Sequence, residues 1–338
     1  SLPNDLIKFL SKLWGSLHLQ ERRFSRNFLL RKLTARKKSD ILFADCAKEE
    51  AVRAARIAKR IAFIFLAILF GIIAFLALLA AALLVADAAV EASARTLPSY
   101  AREDISALLE QESWSDEDYE TLWRQTGLGR TALDGMKGDS ERILRFQEAL
   151  FYDGALAHEA VAITTKRDIF ADTSYFAPMV DLENGDVLVT STCHSFGWRN
   201  GHAALVVNAA NGSLLESVSL GIPSTVSVYG SDWFRYGTNF MVLRLKDADA
   251  QLRAEIAQTA RERLYNVPYS LTVGFLSPKD QGEAPQETHC SHLVWQAYHY
   301  YGYDIDSDGG ALCSAHDIAR SDLFEVVQVF GFDPVELW

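Results

Sequence analysis

The chain has 338 residues, with 33 Lys and Arg, 44 Asp and Glu and a formal net charge of −11 at pH 7. This length suits two modest domains, and the acidic balance argues against a nucleic-acid partner, which needs a basic surface. This net charge is the sum of a basic part and an acidic part of the chain. Residues 1–60 carry 15 Lys and Arg against 6 Asp and Glu, whereas residues 87–338 carry 18 against 38.

The basic segment, residues 1–60, contains apolar side chains at helical spacing with lysines between them. The apolar positions are Leu6, Leu10, Leu13, Trp14 and Leu17. This pattern predicts an amphipathic helix that lies on an anionic membrane face, or one that packs on a partner or a second copy of the chain. Membrane lipid, a membrane partner and a homo-oligomer formed through residues 1–86 therefore all remain open.

An uncharged run follows, from Ile61 to Ala86, with 26 residues of Ala, Val, Ile, Leu and Phe interrupted only by Gly71. About 20 apolar residues cross the hydrocarbon core of a bilayer, so the run predicts a transmembrane helix. A buried core helix and a cleaved signal peptide are the alternatives. Ala92-Ser93-Ala94 resembles a cleavage site, but the apolar run is longer than usual for a signal peptide.

The charges that flank this run predict its orientation. Lys59 and Arg60 precede it, and Asp87 and Glu91 follow it. Positive residues stay on the cytoplasmic side, so we expect a single-pass protein of the cell membrane with a cytoplasmic N-terminus and an extracytoplasmic C-terminal domain.

The next predicted region, residues 87–172, is a helical stalk. Ser115 followed by acidic residues is typical of a helix N-terminus, and Gly127 with Gly129 is typical of a helix end. No catalytic constellation is visible in this region, although a lid or regulatory element is an alternative to a stalk.

Residues 173–338 change to short apolar runs separated by turn signals, which predicts an α+β domain with an antiparallel sheet. The predicted strands are Asp186–Thr190, His202–Val207, Leu214–Leu220, Thr225–Tyr229 and Phe240–Leu245, and the predicted helices are Ala248–Tyr265 and Cys290–Tyr301.

The helix that begins at Cys290 has the strongest chemical signal. With Thr288 as its N-cap, Cys290 falls in the first turn, where backbone N–H groups and the helix dipole favour a thiolate and can stabilise an oxyanion. His202 opens a strand and could act as the base, and Glu216 on the following strand could hold its ring. Each of these residues alone is more often structural.

Several ordered blocks of this domain resemble the NlpC-type papain-like cysteine peptidase superfamily, and more narrowly its circularly permuted YiiX/YycO-like branch. The blocks are Glu183–Leu188, Gly201–Val207, Leu215–Ser217, Cys290–Tyr298, Gly302–Gly310 and Asp317–Ser321. In that branch the histidine strand precedes the cysteine helix, as it does here.

The resemblance implies a permuted papain-like fold with Cys290 as nucleophile, His202 as general base and Glu216 as the third polar residue. It implies acyl transfer through a thioester without a cofactor or metal, and hydrolysis of a cell-wall (peptidoglycan) peptide amide. Lipid deacylation or acyl transfer on an acylated substrate is a second hypothesis. A non-catalytic receptor or assembly module is a third.

One detail conflicts with the role of Glu216. A tight turn at Asn211-Gly212 would place Val207 opposite Glu216, with the carboxylate on the face away from His202. A longer loop or a bulge would restore the required register.

Other chemistry is also compatible with this region. Cys193 and Cys313 could form a disulfide, His194 could replace His202 as the base, and Tyr269 could donate to an oxyanion. A zinc site would use some of His289, Cys290, His292, Cys313 and His316. A calcium loop would use Asp304, Asp306, Asp308 and Gly309, but it lacks the usual last glutamate.

Overall fold

The computed structural model describes residues 4–91, 97–161, 165–228, 234 and 237–338. The chain divides into two compact units, Ser1–Leu79 and Ala80–Trp338. The long helix α1 (Asn4–Glu91) supplies the described part of the first unit and the first residues of the second.

The apolar part of α1 differs from the core helix of a soluble domain. Its most apolar window has a mean hydropathy of 3.1 and is not buried at all. By length and composition this helix is able to cross a membrane as an anchor, and a signal sequence near the N-terminus has the same properties. The alternative of a buried core helix is therefore wrong for the described residues.

The second unit contains the remaining helices and the strands. The helices are α2 (Ser106–Leu109), α3 (Asp116–Thr126), α4 (Arg130–Gly135), α5 (Ser140–Leu150), α6 (Ala250–Arg263), α7 (Cys290–His299) and α8 (Ala315–Ala319). The strands are β1 (Leu156–Ala160), β2 (Lys166–Phe170), β3 (Val187–Thr190), β4 (Cys193–His194), β5 (His202–Asn208), β6 (Ser213–Glu216), β7 (Thr225–Val228), β8 (Phe240–Leu245) and β9 (Phe324–Phe330).

Six of the strands form one antiparallel sheet in the order β7-β6-β5-β3-β8-β9. Successive side chains of a strand point to opposite faces, and both faces of this sheet are buried. Leu188 of β3 joins a core with helices α2 to α5, whereas Val187 and Val189 join a core with α6, α7 and α8. The prediction of an α+β domain with an antiparallel sheet is confirmed, and the sheet lies between two helical layers.

The segment predicted as a stalk is helical from α2 to α5, but these helices do not stand apart from the sheet. Their buried side chains, such as Leu122 and Phe146, share a core with Phe330 of β9. The backbone N–H of Val329 donates to the Gly127 carbonyl at 2.7 Å, which fixes the end of α3 against β9. This packing corrects the expectation of a stalk, because residues 97–160 belong to the same compact unit as the sheet.

A second, three-stranded antiparallel sheet has the order β1-β2-β4. Its strands β1 and β2 lie within the segment that was predicted to be a helical stalk. Its register places His158 opposite Asp168 and Lys166 opposite His194, so two histidines and a carboxylate meet on adjacent strands.

Candidate active site

The turn between β5 and β6 is longer than the sequence analysis expected. A 3-10 turn at Ala209–Asn211 is followed by Gly212 in the left-handed region at φ 69°. Asn208 pairs with Ser213 across this loop. The expectation of a tight Asn-Gly turn is therefore wrong, and the longer loop changes the register of every pair beyond it.

A bulge at the end of β5 completes the change of register, so that Leu205 lies opposite Leu215. Glu216 is then opposite Ala204, which shares a face with His202 because the two are separated by two residues. The His202 ring nitrogen Nε2 lies 2.8 Å from Glu216 Oε2, and both side chains are buried. The bulge removes the conflict that the tight turn had created for Glu216.

The cysteine helix, α7, begins at Cys290 as the sequence predicted, but its cap is different. His289 is the N-cap, and its Nδ1 accepts the backbone N–H of His292 at 3.3 Å. The Thr288 hydroxyl, which was expected to cap the helix, lies 2.9 Å from the Nδ1 atom of His292 instead. Cys290 therefore occupies the first helical position, where backbone N–H groups and the dipole favour negative charge.

The Cys290 thiol and the imidazole of His202 interact, because each favours the charged form of the other. Burial acts to raise the pKa of Cys290, but hydrogen bonds and charge from His202 and His289 outweigh burial and hold this pKa well below its ordinary value. Burial also acts to lower the pKa of His202, but its bonds to Cys290 and Glu216 raise that pKa to about 9. Between the two pKa values, the pair is a thiolate and an imidazolium.

The three side chains differ in their access to solvent. His202 and Glu216 are buried, whereas Cys290 is half-buried. Nε2 of His202 lies 2.8 Å from Glu216, so the carboxylate fixes the orientation of the imidazole. The protein therefore holds the imidazole in place beside a cysteine that is only partly covered.

His289 is a partner of the thiol that was not predicted from the sequence. Its imidazole contributes a hydrogen bond and charge that lower the pKa of Cys290. The available signal was a histidine directly before a cysteine at a helix start, but residues adjacent in sequence do not by themselves indicate a side-chain contact.

Tyr269 approaches the same helix start through the backbone. It forms a parallel bridge with Thr288, and the next backbone N–H, that of Ser270, donates to the Thr288 carbonyl at 2.8 Å. Burial, followed by the negative charge of Cys290, raises the pKa of Tyr269. Its hydroxyl therefore remains protonated and can act as a hydrogen-bond donor.

An exposed apolar loop continues from this point. Leu271, Phe275 and Leu276 are 62%, 80% and 75% exposed, whereas Val273 between them is fully buried. Gly274 adopts φ 83°, and a Cβ at this position would lie 2.0 Å from the Ala311 carbonyl oxygen. The loop is therefore anchored at its centre while it presents three large apolar side chains to solvent.

The alternative roles for Cys193, Cys313 and His194 are not supported. All the cysteines are free thiols, and Cys193 and Cys313 lie in different hydrophobic cores. Burial raises the pKa of both thiols. His194 bonds to Asp87 rather than to Cys290, so it does not replace His202 as the base of this site.

The metal hypotheses for the C-terminal region also change. Among the described residues, the zinc candidates around Cys290 and Cys313 do not form a group with ligand spacing. Within the acidic loop, the carboxylates of Asp306 and Asp308 come together with Asp317 of α8. Asp306 forms an ion pair with Lys279, so a lysine ammonium already occupies one of these three carboxylates.

Comparison with known proteins gives little further information. No family model and no curated protein matches the chain. Among solved structures, a crystal structure of YiiX from Escherichia coli O157:H7, described as a metalloprotein, matches 44% of this chain and 97% of its own. The two are 15% identical, with a TM-score of 0.33. A similarity of this size does not establish a shared fold or activity.

Proposed function

We propose that this protein is a cysteine hydrolase in which Cys290 is the nucleophile, His202 the general acid–base and Glu216 the residue that orients His202. The observation that carries the proposal is the hydrogen bond between His202 and Glu216, together with the interaction by which His202 lowers the pKa of the half-buried Cys290. A nucleophile, a base and an orienting group in this order are what nucleophilic acyl transfer requires.

In the proposed reaction, the Cys290 thiolate attacks the carbonyl carbon of an amide and forms a carbon–sulfur bond. Backbone N–H groups at the start of α7 stabilise the oxyanion, and Tyr269 is placed to add a donor. The His202 imidazolium gives its proton to the departing amine, which leaves a thioester. His202 then takes a proton from water as the water oxygen attacks the thioester, so the carboxylic acid and the free enzyme are released.

The fold that we propose for residues 173–338 is a permuted papain-like domain. In support, the histidine strand β5 precedes the cysteine helix α7 along the chain. The ordered sequence blocks around both residues resemble the YiiX/YycO-like branch. Helices α2 to α5 are an addition to this domain, because they cover the opposite face of the sheet.

We further propose that α1 anchors the chain in the cell membrane, with the basic N-terminal segment in the cytoplasm. The support is the exposed apolar window of α1 and the basic residues on its N-terminal side. A hydrolase on the outer side of a membrane that lies beneath a cell wall would meet peptidoglycan, so a peptide amide of the cell wall is the proposed substrate.

The first experiment measures the reactivity of the thiol. The detergent-solubilised full chain is treated with iodoacetamide across pH 5 to 9, beside Cys290→Ala and, as a matched control, Cys46→Ala. We expect rapid labelling at pH 6 that is lost only in Cys290→Ala, because an ordinary thiol with a pKa of about 8.5 is almost fully protonated there. Labelling of Cys290 at the rate of free cysteine would contradict the proposal and favour a non-catalytic module.

The second experiment identifies the bond. Peptidoglycan fragments are incubated with the wild type and Cys290→Ala, and the products are analysed by mass spectrometry. A hydrolysed peptide amide in the wild-type reaction alone is the expected result. If the fragments remain intact although Cys290 is reactive, the proposed substrate is wrong, but the proposed cysteine chemistry is not contradicted.

A second candidate function, lipid deacylation or acyl transfer, is favoured by the exposed apolar loop. Leu271, Phe275 and Leu276 lie within a few residues of the bridge that joins Tyr269 to the cysteine helix. Such side chains suit contact with an acyl chain or a lipid surface. Phe275→Ser would lower hydrolysis of acylated lipids but leave a soluble ester unaffected, whereas equal rates on lipids would remove this candidate.

A further inference from the structure

Two histidines and several carboxylates form a second cluster in the unit that contains the sheets, outside the cysteine site. Glu91 ends α1, His158 lies on β1, and His194 lies on β4. One ligand atom from each of these three lies within 4.8 Å of the others. Asp87 and Asp168 contact the same two imidazoles. The five residues come from three separate parts of the chain.

The hydrogen bonds of His194 determine which ring nitrogen can accept a ligand. Its Nδ1 lies 2.8 Å from Asp87 Oδ1, so the Nδ1–H group donates to this carboxylate. In the neutral imidazole, the Nε2 atom then carries a lone pair. His194 is 0% exposed, and Nε2 has no hydrogen-bond partner among the described residues. A buried lone pair of this kind is costly unless a cation meets it.

The nearest polar atom to this lone pair is also an acceptor. Asp168 Oδ1 lies 3.3 Å from His194 Nε2. Two acceptors at this distance are stable only with a proton or a metal ion between or beside them. The His158 Nδ1 atom lies 2.8 Å from the same Asp168 oxygen, which leaves the Nε2 atom of His158 as its ligating nitrogen.

This arrangement is that of a metal site with its supporting carboxylates. Histidines that bind metal usually donate their other ring N–H to a carboxylate, which fixes the tautomer and the ring orientation. Asp87 does this for His194, and Asp168 does it for His158. Two imidazoles with one carboxylate are a ligand set that suits zinc and related divalent transition metals.

The cluster has a net negative charge, which favours the binding of a divalent cation. Three carboxylates meet two basic side chains. Lys166 lies 2.6 Å from Glu91 and 2.9 Å from Asp87, and Arg199 lies 2.6 Å from Asp168. The carboxylates exceed the fixed positive charges by one. Lys166 is the direct competitor of a metal for Glu91, and it retains Asp87 as a second acceptor.

We propose that Glu91, His158 and His194 bind a divalent transition-metal ion of the zinc class, with Asp87 and Asp168 orienting the two histidines. The ion connects the end of α1 to the small β1-β2-β4 sheet, so its role is structural. The site is separate from the cysteine chemistry, and the proposal does not depend on the function proposed for Cys290.

The test measures zinc binding to the detergent-solubilised full chain, purified without a histidine tag and stripped with a chelator. All variants carry Cys290→Ala, so that the reactive thiol cannot supply the signal. Zinc affinity is measured by competition with a chromophoric chelator, and stoichiometry is measured by elemental analysis. We expect one tightly bound zinc ion per chain and a rise in the melting temperature on binding.

His158→Gln and His316→Gln form a matched pair. His158 is exposed enough that its replacement should leave the fold intact, and His316 lies on α8 outside the cluster. We expect His158→Gln to weaken zinc binding at least ~10-fold and His316→Gln to leave it unchanged. Equal affinities in the two variants, or no zinc above the level bound by a denatured control, would overturn the proposal.

Lys166→Met should strengthen zinc binding, whereas His158→Gln should weaken it. Removing the ammonium frees the Glu91 carboxylate and removes a repulsive charge, so zinc affinity should rise by about 3-fold or more. Adventitious binding at surface groups would not respond in this way. Unchanged or weaker binding in Lys166→Met would remove Glu91 from the ligand set.

Discussion

Two histidine–carboxylate pairs with the same separation have different surroundings in this protein. His202 lies 2.8 Å from Glu216, and His194 lies 2.8 Å from Asp87. Both imidazoles are buried, and in both a carboxylate holds one ring nitrogen. His202 interacts with the thiol of Cys290, whereas the Nε2 atom of His194 meets no donor among the described residues.

In both pairs the carboxylate orients the ring and favours its positive charge, and the group at the second nitrogen determines the chemistry. A thiol at this position gives up its proton and produces an ion pair suited to nucleophilic attack. A lone pair that faces further acceptors requires a cation instead. The two sites can therefore be separated by experiments that remove one histidine at a time.

The largest expected effect comes from His202→Ala compared with His158→Ala. Without His202, the pKa of Cys290 should return toward about 8.5, so its thiolate fraction at pH 6 should fall by about 100-fold or more. The rate of alkylation by iodoacetamide at pH 6 measures this fraction. His158→Ala should change the rate less than about 2-fold, because His158 belongs to the other cluster. A similar loss in both variants would mean that the sites are not independent.

The pH dependence of hydrolysis should further distinguish the cysteine site from the second histidine–carboxylate cluster. At acid pH the Cys290 thiol is protonated, so the rate falls below its lowered pKa. Above about pH 9, His202 loses its proton and can no longer protonate the leaving group. We expect a plateau between these limits and a ~10-fold decrease in rate for each further pH unit. A profile that keeps rising above pH 9 would contradict the imidazolium form of His202.

Glu216→Gln should give a smaller effect than loss of His202. Glutamine keeps an oxygen that can accept from the imidazole, but it removes the negative charge that favours the imidazolium. The alkaline limit of the rate profile should therefore move down by about 1 unit, while iodoacetamide labelling persists. The profile of Glu159→Gln, a carboxylate on β1, serves as the control. An unmoved alkaline limit in Glu216→Gln would show that this carboxylate does not act on His202.

Some of these features could be predicted from the sequence because their causes are local. The start of α7 at Cys290 and the whole of β8 depend on short-range patterns of apolar residues and caps. The α+β class followed from several such segments. The position of Glu216 beside His202 could not be predicted, since it depends on a bulge in β5 that no short sequence motif indicates.

The second cluster, around Glu91, His158 and His194, could not be predicted from the sequence for a different reason. Asp87 and His194 are separated by 107 positions, and each looks ordinary in its own segment. Residues 87–172 read as helical, so the pairing of β1 with β2 that brings His158 to Asp168 was not expected. Contacts of this kind depend on the tertiary arrangement, which the local pattern does not contain.

The smallest effect that we predict concerns the loop that sets the register of the hairpin. Gly212 adopts φ 69°, where a side chain with a Cβ is strained, so Gly212→Ala should destabilise the fold by about 1 kcal/mol. Gly212→Asn should cost less, because asparagine tolerates the left-handed region. Melting temperatures of the two variants measure the difference. If Gly212→Ala also lowers the reactivity of Cys290 at pH 6 while Gly212→Asn does not, the register of this hairpin controls the hydrogen bond between Glu216 and His202. Equal melting temperatures for the two variants and the wild type would instead show that the left-handed turn is not required.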